Sequence, residues 1–365
     1  MSLLKRLFGR KEEQIKSYAQ FWNWFRQQER SFFEVVKQGK RIEQDFFHIV
    51  APRLAELKDG LFLVSGMYDE HTAELVITAD GSPKNIIFAE ELVAEAPQLS
   101  GWKFTALKPA TNIQDVRIQM DGYLFDAERL SFYANYTEGF PDEIDITMVH
   151  RDYNEADRDK LNRGTYIFLD HCLGELTFAT VIDYLVVKGP DTAEKELIPV
   201  TKLKDFLAWR QKEFIERTEQ VLYDSSADSY AAMEAQLENG RPVVAILNSA
   251  LLEWDYKAAY PWLLKIDIRY EGNANNGMPD KPTYQQMDEL EDQVNERLPA
   301  EEGYLNIGRQ TGDNCREAYF ACRDFRKPAK VLYELISNYN GKLAIGFDLY
   351  KDKYWQSMNH FRPRE

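Results

Sequence analysis

The sequence predicts an α+β protein: an N-terminal helical pair with a mostly antiparallel sheet domain, then a C-terminal ferredoxin-like domain. Three observations carry this. Apolar residues alternate with polar ones in short runs, they recur at helical spacing in longer ones, and between Pro261 and Trp355 the two patterns follow in the order strand, helix, strand, strand, helix, strand.

In that C-terminal stretch Leu264, Ile266, Ile268 and Tyr270 alternate with Lys265, Asp267 and Arg269, as in a strand with one wet face. Thr283 and Gln286 read as a capping box opening a helix with Met287, Leu290, Val294 and Leu298 on one face; Pro299 blocks its continuation. Leu305 and Ile307, the turn Thr311-Gly312-Asp313-Asn314, and a run carrying Ala318, Phe320 and Cys322 make a hairpin. Pro328 opens a second helix through Val331, Leu332, Leu335, Ile336 and Tyr339, and Leu343 to Leu349 alternates again. Both helices are expected on one face of the sheet, with the other face open to solvent or a partner.

At the N-terminus, Ile15, Tyr18, Trp22, Phe25, Phe32 and Val36 give one helix from Glu12 to Gln38, stopped at Gly39. A second helix uses Ile42, Phe46, Val50, Leu54 and Leu57, with a kink at Pro52. Short strands follow at 61–64, 75–77, 102–107, 116–125, 130–136, 143–150 and 181–187, with helices after Ser82, Asn154 and Thr201. Tyr223 to Ser229 is polar and aperiodic and reads as a linker, after which Tyr230 to Glu238 reads as a short helix. The expected divisions are therefore 1–59, 60–224 and 225–365.

A formal net charge of −15 disfavours nucleic acid as the main partner and favours a protein with a basic surface. Three cysteines without a CxxC pair argue for reduced thiols in a cytoplasmic setting and against structural zinc or disulfides. No apolar run approaches the roughly 20 residues that span a bilayer. Residues 1–11, with Leu3, Leu4, Leu7 and Phe8 among four basic side chains, could make at most weak peripheral membrane contact.

No nucleotide loop, GxSxG or metal-ligand spacing is present, so no cofactor, metal or assigned catalytic residue is expected. The weak catalytic candidates are His150 with Asp152 at a strand end, where they could act as base and orienter, and Arg316 with Glu317 beside Asn276-Gly277-Met278-Pro279. Strand alternation sends Glu317 and Tyr319 to the open sheet face and Arg316 toward the helices, where it should meet a carboxylate or helix-end carbonyls. Asp288, Glu291, Asp292, Glu317 and Tyr319 together form the expected binding surface.

At these residues the chain resembles a bacterial family, the domain of unknown function numbered six-nine-five. The resemblance spans about Pro242 to Pro363 and is carried by Pro261-Trp262, Tyr270, Gly277-Met278-Pro279, Leu290-Glu291-Asp292, Gly308 with Thr311, Arg316-Glu317-Ala318-Tyr319-Phe320 and Trp355. Ala321 departs from it, since members often carry an aromatic there. The resemblance implies regulation through protein contact. The resulting expectation is a non-enzymatic interaction or regulatory protein with an acidic binding surface; the alternative is a hydrolase with its site in the cleft between the two halves.

Overall fold

A computed structural model describes residues 14–341 and 343–362, so the predicted membrane-touching piece 1–11 lies outside the described residues. Helices and several sheets are mixed throughout, and packing divides the chain into two units between Pro109 and Ala110.

The first unit begins with α1 (Tyr18–Gln38). The Ser17 hydroxyl accepts the Gln20 N–H at its start, which places the helix start six residues after the expected Glu12. Gly39 ends it in the left-handed region, where its N–H reaches the carbonyls of Val35 and Val36. A wide turn at Glu43–Phe47 precedes α2 (His48–Leu57). Pro52 has no N–H to offer the carbonyl at His48, so the irregularity sits in the turn leading up to that carbonyl. Strands β1 (Phe62–Met67) and β2 (Ala73–Thr78) pair antiparallel, and α3 (Pro83–Ala94) crosses to β3 (Trp102–Ala106), which lies parallel to β2. An aromatic core of Phe21, Trp22, Phe25, Phe32, Phe46 and Trp102 joins the helical pair to this sheet, and the Trp22 indole donates to Leu92 O at 2.7 Å.

The second unit opens with the tight hairpin β4 (Ile118–Met120) and β5 (Tyr123–Phe125). Then come β6 (Leu130–Asn135), β7 (Asp145–His150), α4 (Arg158–Leu173), α5 (Glu175–Thr180), β8 (Tyr184–Lys188), β9 (Ile198–Pro199) and α6 (Leu203–Thr218). The four strands from β6 onward form a sheet in the order β8-β7-β6-β9, with β7 and β8 parallel and the remaining pairs antiparallel. Gly164 lets α4 approach the hairpin, since a Cβ there would fall 2.0 Å from the Phe125 ring. The stretch expected as 60–224 thus spans both units, because β1 to β3 close their core on α1 and the sheet of β6 to β8 closes its own on α4 and α6.

Next are β10 (Tyr230–Gln236), β11 (Pro242–Asn248), α7 (Ser249–Glu253), β12 (Trp262–Arg269), α8 (Lys281–Arg297), β13 (Tyr304–Gly312), β14 (Cys315–Cys322), α9 (Arg326–Asn338) and β15 (Ala344–Lys351). They build one antiparallel six-stranded sheet in the order β10-β11-β13-β14-β12-β15. The expected helix at Tyr230 to Glu238 is instead strand β10. Its alanines and glutamate suit a helix locally, but the turn at Leu237 to Gly240 folds it back onto β11, and pairing with a preformed edge outweighs propensity.

The first C-terminal helix is capped differently from expectation. The Asp280 carboxylate accepts the Thr283 N–H at 2.9 Å and Pro282 lies in the first turn, so α8 starts before the proposed Thr283 box. The sheet face opposite the helices is covered as well. Leu263, Leu305, Tyr319 and Ala321 are buried there against Leu251, Tyr260 and a closing turn that brings Trp355, Met358 and Phe361. The Trp355 indole donates to Tyr260 O at 2.9 Å and pins that turn. An open face at this position would have left the tyrosine and the apolar half of the strands in water.

Gly308 sits at a bulge between β13 and β14 with φ +134°, and a Cβ there would lie 2.2 Å from Ile246 O. Gly308→Ala is therefore expected to destabilise by about 3 kcal/mol or more, measured by chemical denaturation; an unchanged midpoint would show that the bulge relaxes freely.

Candidate functional site

His150, at the end of β7, is fully buried. Its Nδ1 accepts the Asp152 N–H at 3.1 Å, so the proton sits on Nε2, which donates to Leu124 O at 3.1 Å. Burial holds the imidazole below its ordinary pKa, in the neutral form. Both ring nitrogens are engaged and the ring packs edge-on to Tyr123 and Phe125. The Asp152 carboxylate turns to Arg129 at 3.5 Å and stands exposed, so the two residues do not form a base and orienter.

Arg316, on β14, is fully buried beneath α8. Its Nε donates to Thr311 Oγ1 at 3.0 Å, and its Nη1 donates to Asp288 Oδ1 at 2.8 Å and Glu291 Oε1 at 2.7 Å. The guanidinium carbon lies 4.5 Å from the Tyr284 ring centroid. Arg309 closes the other side, donating to Glu291 Oε2 at 2.8 Å and to the Tyr284 hydroxyl at 3.0 Å. Glu291 is therefore an internal counter-ion and no part of an outer surface; Asp288 is half-buried in the same network, and Asp292 alone of the three is exposed.

Glu317 and Tyr319 lie on the opposite sheet face. Lys265 Nζ approaches Glu317 at 2.5 Å, and the Tyr319 hydroxyl donates to the same carboxylate at 2.8 Å. Burial resists ionisation of Glu317, yet hydrogen bonds from Lys265 and Tyr319 outweigh it and hold the carboxyl below its ordinary value. Burial, reinforced by the bond to Glu317, raises the Tyr319 phenol far above its usual range. The loop Asn276-Gly277-Met278-Pro279 serves the hairpin turn: Tyr270 OH donates to Gly277 O at 2.9 Å, and Asn314 N–H donates to the same carbonyl at 2.9 Å.

The four-stranded and six-stranded layers of the second unit meet at a buried ionic network that sequence patterns did not single out. Asp183 accepts from Lys351 and Lys353, each at 2.8 Å, and from the Ile144 N–H at 2.7 Å. Lys351 also donates to Val181 O, Lys353 to Asp142 O, and Gln356 to Glu143 Oε1. Burial pushes Lys351 down to about 8 against the pull of Asp183. Burial and the neighbouring Asp145 and Asp183 charges push Glu143 up to about 7. The sequence signal was the pair Lys351 and Lys353 at the end of the last strand, opposite the acidic start of β7.

Beside the network is a cavity of about 280 Å³, walled by Ile144, Leu176, Phe214, Trp262, Phe325 and the cationic side chains Arg323, Arg326, Lys351 and Lys353. Neither His150 nor Arg316 borders it. No group of three or more His, Cys, Asp or Glu among the described residues could hold a metal ion. No helix among them is long and apolar enough to cross a membrane.

The α+β architecture and this site define a mixed-sheet protein whose recognisable portion is the six-stranded sheet with its helices. The model for the Family of unknown function (DUF695) matches residues 234–361, about a third of the chain, from β10 to the closing turn. No curated protein and no solved structure matches the chain.

Removing one partner of a buried ion pair strands the other charge. Glu291→Gln should therefore cost about 3 kcal/mol, whereas the exposed Asp292→Asn should stay within about 0.5 kcal/mol; urea titration of both variants compares them. Glu143 has a folded pKa above its unfolded value, so its contribution is fully present below about 4.5 and is lost as pH rises through about 7. Glu143→Gln keeps an acceptor for Gln356 and should remove that loss, flattening the fall in stability between those pH values; an unaltered pH profile would count against a strained Glu143.

Proposed function

We propose that the chain is a non-enzymatic protein-interaction or regulatory module, working in the cytoplasm, whose ferredoxin-like C-terminal domain binds a basic protein surface. The observation that supports it best is the outer face of α8, where Glu289, Asp292 and Glu296 are exposed while Glu291 is spent internally on Arg316. Carboxylates that have no internal duty and repeat along one helix attract a basic partner at long range. The ferredoxin-like reading is supported by the order β13-β14-β12-β15, with α8 and α9 as the two crossovers. Those helices lie side by side on one face, since Tyr339 OH donates to Gln286 and Arg297 pairs with Glu334. Three free thiols, two of them buried, suit a reducing compartment.

The acidic surface proposed here is narrower than the five residues the sequence suggested. Asp292 stays in it; Glu291, Glu317 and Tyr319 have internal partners, and Asp288 is shared with Arg309 and Arg316.

Reversing Glu289, Asp292 and Glu296 to lysine should leave stability nearly unchanged, because exposed positions shift it by about half a kcal/mol each or less. The same triple variant should lose the partners that native chain captures from its host at low salt. Retention of the same partners with the same salt dependence would sink the α8 surface as the interface.

A further inference from the structure

The cavity between the two layers of the second unit has one cation that the protein itself leaves unanswered. Lys351 and Lys353 share Asp183, and Arg326 pairs with Asp324 at 3.2 Å. Arg323 has no carboxylate partner among the described residues, and the one hydrogen bond of its guanidinium is a long contact from Nη1 to Glu219 O at 3.4 Å. Its Nε and Nη2 are buried and meet no acceptor. Those two nitrogens form one edge of the guanidinium, the fork whose spacing matches the two oxygens of a carboxylate.

The side chain is held in place by contacts that supply no counter-ion and no acceptor for that edge. The guanidinium carbon sits 4.9 Å from the Tyr260 ring centroid, and the stem lies against Gly303, where a Cβ would come 2.8 Å from Arg323 Cδ. Leaving two buried N–H groups without acceptors is costly, and a ligand that supplies the acceptors removes that cost. Besides the cations Arg326, Lys351 and Lys353, the wall carries the apolar side chains Ile144, Leu176, Phe214, Trp262 and Phe325. Its volume of about 280 Å³ is near the lower end of small-molecule sites.

We propose that this cavity binds a small organic carboxylate, with the Arg323 fork taking the carboxylate and the apolar wall taking the body of the ligand. The choice of a carboxylate follows from the fork: Lys351 and Lys353 share Asp183 and Arg326 has Asp324, which leaves Arg323 as the cation of the wall with no carboxylate partner. The ligand draws the Nε and Nη2 edge toward the cavity as it enters, replacing two missing hydrogen bonds by two charge-assisted ones. This site is independent of the α8 surface, which lies on a different set of residues.

The full chain would be titrated calorimetrically with benzoate, phenyl phosphate and inorganic phosphate, and Trp262 on the cavity wall would be followed by its fluorescence. Saturable benzoate binding with one site per chain is expected, together with a fluorescence change. Arg323→Met should weaken it at least tenfold. Gln211→Glu, an exposed change on the cavity rim that disturbs no core contact, should weaken it several-fold with the thermal transition unaltered. Absence of saturable benzoate binding at millimolar concentration would overturn the proposal, as would benzoate binding that survives both substitutions. Tighter binding of phenyl phosphate or of inorganic phosphate than of benzoate would overturn the assignment to a carboxylate.

Discussion

The six-stranded sheet and its helices depend on a buried arginine. Arg316 points from the middle of the sheet into the layer beneath α8, where an unpaired guanidinium would be several kcal/mol too costly to keep. Its neutralisation requires Glu291 and Asp288 to face the sheet, and their spacing of three residues puts both on the helix side turned toward Arg316. Apolar contacts from Met287, Leu290 and Val294 would tolerate a sliding or rotated helix more easily than this bonding set does. The ionic cluster therefore fixes the register of α8 on the sheet, and Arg309 with Tyr284 closes it against water.

A second constraint acts on the opposite face. A sheet with helices on one side and nothing on the other would expose Leu263, Tyr319 and Leu305, so the chain returns after β15 and lays Trp355, Met358 and Phe361 over them. That return path also delivers Lys353, Tyr354 and Gln356 to Asp142, Asp183 and Glu143, which ties the six-stranded layer to the four-stranded one. Covering one sheet face and joining two layers are thus accomplished by the same short segment. The cost is a pair of titratable groups, Glu143 and Lys351, held away from their ordinary pKa values in opposite directions.

Periodicity made the order of elements from β12 to β15 legible, because each strand there alternates and each helix carries one apolar stripe. The direction of Arg316 was legible for the same reason, since alternation assigns faces. Two kinds of feature were hidden. Strand β10 has the composition of a helix and becomes a strand through pairing with β11, a contact that lies outside any local window. Glu291 and Asp292 are adjacent and chemically alike, and only the 100° between successive helix positions, referred to a partner on another element, makes one internal and the other exposed. The cavity and its Lys351, Lys353 and Arg323 wall were illegible because they arise where residues far apart in the chain, such as Asp142 and Lys353, come together.

Taking Glu291 and Glu317 out of the surface does not make the surface less acidic. Glu291 and Asp288 together face Arg316 and Arg309, and Glu317 faces Lys265, so each internal set removes equal amounts of both signs. The net charge of −15 must then reside on groups without internal counter-ions. Buried carboxylates cannot supply it, because one that lacks a partner takes up a proton, as the rise of Glu143 to about 7 illustrates. The excess is therefore carried by exposed positions, and every internal ion pair concentrates it further on faces such as that of Glu289, Asp292 and Glu296. The same arithmetic makes the unanswered Arg323 conspicuous: in a chain with fifteen surplus carboxylates, a part-buried cation with none beside it is held apart from them by the fold.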